Sequence, residues 1–121
     1  MPDDRALRPD CLFCRIIRGE VPSKAVFDGD EVLAFHDIAP RSPTHILVIP
    51  KVHIASAADL TDEDGPLLGR LFAATAQIAR EQGLEDDGYR LVSNVGRFGG
   101  QTVDHLHIHL MGGRSFTWPP G

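Results

Sequence analysis

Positions Leu67, Leu68, Leu71, Phe72, Thr75, Ile78 and Ala79 recur at i, i+3 and i+4 and form one stripe, which predicts a long amphipathic helix. Gly83 closes it; Thr61 or Asp64 can cap its start, and Pro66 suits only the first turn. Elsewhere the period shortens to two. Lys24–Phe27 and Glu31–His36 read as strands around the turn Asp28-Gly29-Asp30, and His45–Pro50 as an Ile/Val-rich strand stopped by its proline. Tyr89–Asn94 and Val103–Met111 complete five strands, with the glycine-rich loop Val95–Gln101 between them. Asp10 is placed to cap a short helix over Cys11–Arg18, ended by Gly19. The segment Asp37–Pro43 reads as loop, and the tail Trp118–Gly121 as extended chain. Strands and helices do not alternate, so the predicted class is α+β: a five-stranded, mainly antiparallel sheet with one long and one short helix. No internal repeat or linker interrupts the pattern, so residues 1–121 form one domain, with 1–9 expected as a disordered extension.

Composition narrows the function. Hydrophobic residues at 42% and charged residues at 24% are ordinary globular values. The net charge is −5 and no Lys/Arg cluster stands out, which argues against nucleic-acid binding and leaves room for a small phosphate ester at a local site. The run Ile46-Leu47-Val48-Ile49 is far too short to span a membrane, so no membrane partner is expected. The acidic, proline-punctuated start does not read as a signal peptide, and the expected compartment is the cytoplasm. Cys11 and Cys14 then suggest a metal or redox pair, not a structural disulfide.

The chemistry is concentrated in His105-Leu106-His107-Ile108-His109-Leu110. On a strand, successive side chains point to opposite faces, so the three imidazoles share one face, about 7 Å apart. Such a row can be a merely polar face, a His-x-His metal site, or a catalytic row acting on phosphate. Adjacent imidazoles resist being charged together, so one ring can attack while a neighbour keeps its proton. Just before the row stands Asn94-Val95-Gly96-Arg97-Phe98-Gly99-Gly100-Gln101-Thr102, whose glycines let main-chain N–H groups approach an anion. A glycine loop feeding three histidines favours a phosphate cradle beside a nucleophile.

At this point the chain resembles the histidine-triad family. His105–Met111 matches its His-φ-His-φ-His-φ-φ signature, where φ is apolar. Phe35-His36-Asp37-Ile38, Thr44–Lys51, Gly99-Gly100-Gln101 and Trp118-Pro119-Pro120-Gly121 resemble the family's nucleotide-binding Hint branch. The resemblance implies a phosphoramidase that splits purine nucleoside phosphoramidates, of the AMP or GMP type, through a covalent phosphohistidine. It implies that His107 is the nucleophile, that His109 with Gly100, Gln101 and Thr102 holds the phosphate, and that His45 relays a proton. Asn94 is expected near the phosphate–ribose junction and Asp37 at the ribose, with Phe13, Ile16, Phe35 and Leu47 around the base; plain core packing explains those last four equally well. Thr102 stands where serine is frequent and Asp104 where a neutral residue is frequent. By alternation Asp104 is expected to face away from the histidines. Rival readings are a dinucleoside polyphosphate hydrolase or nucleotidyl transferase, and a nucleotide-binding regulatory module.

Two further expectations follow. Thiols at i and i+3 can share one metal, with His53 and His105 as candidates for the remaining ligands. Zinc-bearing relatives in the wider superfamily resemble this layout, which implies a structural zinc held by Cys11, Cys14, His53 and His105 and takes His105 out of its catalytic role. The alternative is a pair of small buried thiols. No organic cofactor is expected. The resemblance also implies a homodimer, joined through the long helix and the Tyr89–Asn94 strand, with Trp118 reaching the partner's site.

Overall fold

The computed structural model describes residues 5–121. The chain runs through α1 (Leu12–Ile17), β1 (Ala25–Asp28), β2 (Val32–His36), β3 (Thr44–Pro50), α2 (Gly65–Glu81), β4 (Tyr89–Val92), α3 (Gly96–Gly99) and β5 (Ile108–Gly112). The strands form one antiparallel sheet in the order β1-β2-β3-β5-β4, which is the expected fold class. Of the expected extension, Met1–Asp4 lie outside the described residues. Arg5 donates to Asp64 at 2.7 Å, and its carbonyl accepts from the His53 N–H. No described helix is long and apolar enough to cross a membrane.

The period-two pattern divides the sheet into two cores. Val32, Ala34, Ile46, Val48, Ile108 and Leu110 face α2 and pack on its buried stripe of Leu71, Ala74, Ile78 and Ala79. Each large aliphatic side chain buried there contributes roughly 1.5–3 kcal/mol. Leu33, Phe35, Leu47 and Ile49 face the other way and pack on Cys11, Phe13 and Cys14 of the α1 segment. Since α1 is only six residues long, it covers part of that face, and the rest stays open as a cavity.

Several boundaries differ from expectation. Cys11, not Asp10, caps α1: its extended backbone lets Sγ accept from the Cys14 N–H at 3.4 Å. At the long helix both candidates act, because Thr61 and Asp64 close a capping box on a 3₁₀ turn that leads into α2 with Asp64 as its cap. The loop before the histidines contains the one-turn helix α3, ended by Gly100 at φ 83°, a left-handed conformation that suits glycine. The last strand begins at Ile108, not Val103: pairing with β3 runs only as far as Val48↔Ile108. Upstream, Leu106 instead donates to the Ile54 carbonyl. Asp104 is exposed and borders Cys11 and His53, because strand alternation does not extend back to it.

Candidate active site

His109 lies on β5 and His107 immediately before it, and His45 lies on β3 alongside. The Leu47↔His109 pairing places these rings on the face opposite α2. Ring centroids of His107 and His109 are 4.9 Å apart and those of His45 and His109 are 5.1 Å apart, and Phe13 meets His107 edge-on with centroids 5.1 Å apart. The predicted row therefore exists, but it is tighter than strand spacing suggests and turns at His105.

The hydrogen bonds assign the tautomers. The Nδ1–H of His107 donates to the His105 carbonyl at 2.6 Å, so Nε2 keeps its lone pair. Ser93 Oγ donates to the His107 carbonyl at 2.9 Å and fixes the main chain there. The Arg41 N–H donates to His45 Nδ1 at 3.0 Å, which leaves the His45 proton on Nε2. That Nε2 lies 2.9 Å from His109 Nδ1 and 3.4 Å from Asp37 Oδ2. His109 Nδ1 is thus an acceptor, and its Nε2 carries a proton. Burial lowers the pKa of His109 to about 4, helped by its neighbours His107 and His45; burial also lowers His45 against the opposing pull of Asp37. Near pH 7 these two rings are neutral, and His109 presents a donor at Nε2.

Beside them opens a cavity of about 340 Å³. Phe13, Ile16, Phe35 and Leu47 line it, as do Asp37, Thr102, His107 and His109, so the structure brings these eight predicted residues together. Asn94, Gly100 and Gln101 are not in its lining. Gln101 instead spends its amide on the main chain: Oε1 accepts from Gly96 N–H, and Nε2 donates to the carbonyls of Ala55 and Val103. It shapes the loop. Trp118 is 82% exposed and also lies away from the cavity. The sequence reading missed Val21, Pro22, Ser23 and Ile38 on the rim, and His36, which β2 presents at its end. His36 and Ile38 stand in the stretch Phe35-His36-Asp37-Ile38 that carries the family resemblance, which is the one signal that could have been read.

His105 belongs to a second constellation. It is fully buried, and its Nε2–H donates to the Pro50 carbonyl at 3.0 Å. Its Nδ1 lies 3.3 Å from Cys11 Sγ and 3.5 Å from Cys14 Sγ, while His53 Nδ1 lies 3.3 Å from Cys14 Sγ. The four ligand atoms all fall within 4.8 Å of one another, so the cluster could hold a metal ion. Tetrahedral zinc with ordinary Zn–S and Zn–N bonds would set S···N separations of about 3.6 Å, close to those found. The Pro50 contact is the outer-shell bond that leaves a ligating imidazole its free nitrogen. Burial pushes the Cys14 thiol up to about 11 and lowers His53 and His105, so without a cation these groups are uncharged. Both His105 nitrogens are engaged, and neither is left for a substrate.

The HIT domain family model matches residues 18–116. The chain is 48% identical over 105 residues to the purine nucleoside phosphoramidase of Escherichia coli K12, covering 87% of this chain and 88% of that one. It is 54% identical over 112 residues to an uncharacterized HIT-like protein of Synechococcus elongatus, covering 93% and 97%. Among solved structures, a HIT family hydrolase from Legionella pneumophila superposes with a TM-score of 0.91 at 51% identity, covering 93% of this chain and all of that one.

Proposed function

Because the chain belongs to the HIT domain family, we propose that it is a purine nucleoside phosphoramidase, hydrolysing AMP- or GMP-linked amines to the nucleotide and the free amine. The observation that carries this reading is the His107 Nδ1–H held on the His105 carbonyl, which aims the chemistry at a lone pair on Nε2 beside an apolar cavity. The base lies among Phe13, Ile16, Phe35 and Leu47, the ribose at Asp37, and the phosphate between His107, His109 and Thr102. His107 Nε2 attacks phosphorus, and the phosphorus–nitrogen bond breaks as His109 Nε2 gives its proton to the leaving amine; the negative charge this leaves on the His109–His45 pair is balanced by the positive charge gained on the phosphorylated His107 ring 4.9 Å away. Water then attacks phosphorus and returns a proton to His109; the bond to His107 breaks, and the nucleotide leaves. His45 Nε2–H, hydrogen-bonded to His109 Nδ1, steadies that ring while its own proton is away. Gly100 and Gln101 act through the shape of the loop, and Asn94 stands at the phosphate–ribose junction.

A panel of AMP-amine, GMP-amine and diadenosine polyphosphate substrates tests this, with acid-labile phosphohistidine trapped during turnover. The two amines should show the higher kcat/KM. Preference for the diadenosine substrate would favour the polyphosphate hydrolase reading. Negligible turnover of every phosphoramidate despite AMP binding would favour a regulatory module.

The Cys11, Cys14, His53, His105 cluster holds one structural zinc in this reading, tying the α1 segment to the chain that presents His107. The cytoplasm, with its reduced thiols, is the compartment that fits two free cysteines. The protein works as a homodimer: among the described residues β4 is a sheet edge with its outer side unpaired, and Tyr89, Leu91 and Phe72 of α2 are exposed apolar side chains. Trp118 is free to reach the partner's site. Light scattering at micromolar concentration should give twice the 13.2 kDa chain mass, and a monomer would overturn the pairing.

A further inference from the structure

We infer that Arg114 is a positioning residue that sets the proton on the histidine row from outside the cavity; this rests on the phosphoramidase reading for its kinetic consequence, though not for its geometry. After β5 the chain turns at Gly113, at φ 91°, where an added Cβ would lie 2.7 Å from the ring of Pro43. This contact brings the segment after β5 against the loop between β2 and β3. There the Arg114 guanidinium reaches across: Nε and Nη2 both donate to the Arg41 carbonyl, at 3.3 and 3.1 Å, and Nη1 donates to the Ser115 carbonyl. The guanidinium also lies 4.2 Å from the centroid of the Phe116 ring. Arg90 of β4 approaches the same ring at 5.2 Å and donates to the Thr117 carbonyl. Both guanidinium groups thus lie against the Phe116 ring, and Arg114 grips the loop from there.

The grip matters because of what the same residue does with its other main-chain group. The Arg41 N–H is the donor to His45 Nδ1. While it stays in place, the His45 proton sits on Nε2, His109 accepts at Nδ1, and His109 Nε2 carries the proton that the leaving amine takes. If the loop is released, His45 can carry its proton on Nδ1 instead. His109 then donates from Nδ1 to His45, and its Nε2 turns a lone pair toward the substrate, which is the wrong sense for an acid. The groups facing His45 are His109, Asp37 and Arg41, and none of them replaces that N–H as a donor to Nδ1. A lysine at 114 would keep the charge, but not the two-pronged contact or the flat stack on Phe116.

The test is Arg114→Ala, with Arg114→Lys beside it. Nitrogen-15 NMR of the imidazoles should show His45 in one tautomer in the wild type and a second tautomer populated in both variants. Turnover of AMP linked to an alkylamine, whose departure needs a proton, should fall about tenfold or more with KM little changed. Turnover of the p-nitrophenyl ester of AMP, whose leaving group needs none, should stay near wild type. An unchanged His45 tautomer, or an equal loss on both substrates, would overturn the inference. If the wild type cleaved neither compound the functional reading would fall, and the tautomer measurement would still decide the role of Arg114.

Discussion

His107→Ala should lose at least about a thousandfold in turnover, some 4 kcal/mol of transition-state stabilisation, while still binding AMP. The covalent route depends on one atom, His107 Nε2, whose lone pair exists because Nδ1 is committed to the His105 carbonyl. No other ring on the row can substitute. His109 carries a proton on the corresponding nitrogen, His45 Nε2 is directed at His109, and both His105 nitrogens are engaged. Binding should survive, because most of the cavity wall belongs to Phe13, Ile16, Phe35, Leu47 and the rim loops. Equilibrium binding of AMP, single-turnover kinetics and a search for phosphohistidine would separate the two effects. A variant keeping more than about a tenth of wild-type kcat, a loss under 1.4 kcal/mol, would exclude the covalent mechanism.

Cys14→Ala should strip the metal and lower the melting temperature by roughly 10 °C. For a chain of this size 1 kcal/mol corresponds to roughly 3–5 °C, and loss of a structural metal commonly removes several kcal/mol. Cys14 is fully buried and its sulfur touches both cluster imidazoles, so alanine removes a ligand that no neighbour replaces. Protein purified without added metal should hold close to one zinc per chain, and the variant much less. Turnover should fall as well, since the His105 carbonyl that orients His107 belongs to the residue whose ring sits in the cluster. No stoichiometric zinc, together with a double cysteine-to-alanine variant of wild-type stability, would leave the thiols as ordinary core.

The elements most legible in the sequence were those whose period is local. The stripe from Leu67 to Ala79 announces α2, and the alternation of His107-Ile108-His109-Leu110 correctly separates these two histidines from Ile108 and Leu110. Alternation failed at Asp104 and His105, which lie in a bend upstream of the extended chain that leads through His107 into the strand. There Pro50 ends β3, and the His105 ring is drawn toward the thiols and the Pro50 carbonyl. The base-side residues were named, but core packing and ligand contact were indistinguishable for them until the open part of the sheet face came into view. Gln101 was expected at the phosphate, and nothing local told that its amide closes three main-chain contacts, one with distant Ala55. Pro22, Ser23 and Ile38 reach the rim through loops whose course is set by the whole fold.

The strand order also constrains how the molecule is made. β5 lies between β3 and β4, and among the described residues β4 pairs with no other strand. During synthesis, every segment up to residue 107 can emerge while the sheet still has a gap between β3 and β4. The nascent chain then presents two naked strand borders, one of them flanked by Ile46, Val48 and Ile49. Such borders invite chaperone capture or mispairing. The segment that fills the gap also delivers His107 and His109, so catalytic competence and closure of the sheet arrive in a single step on the way off the ribosome.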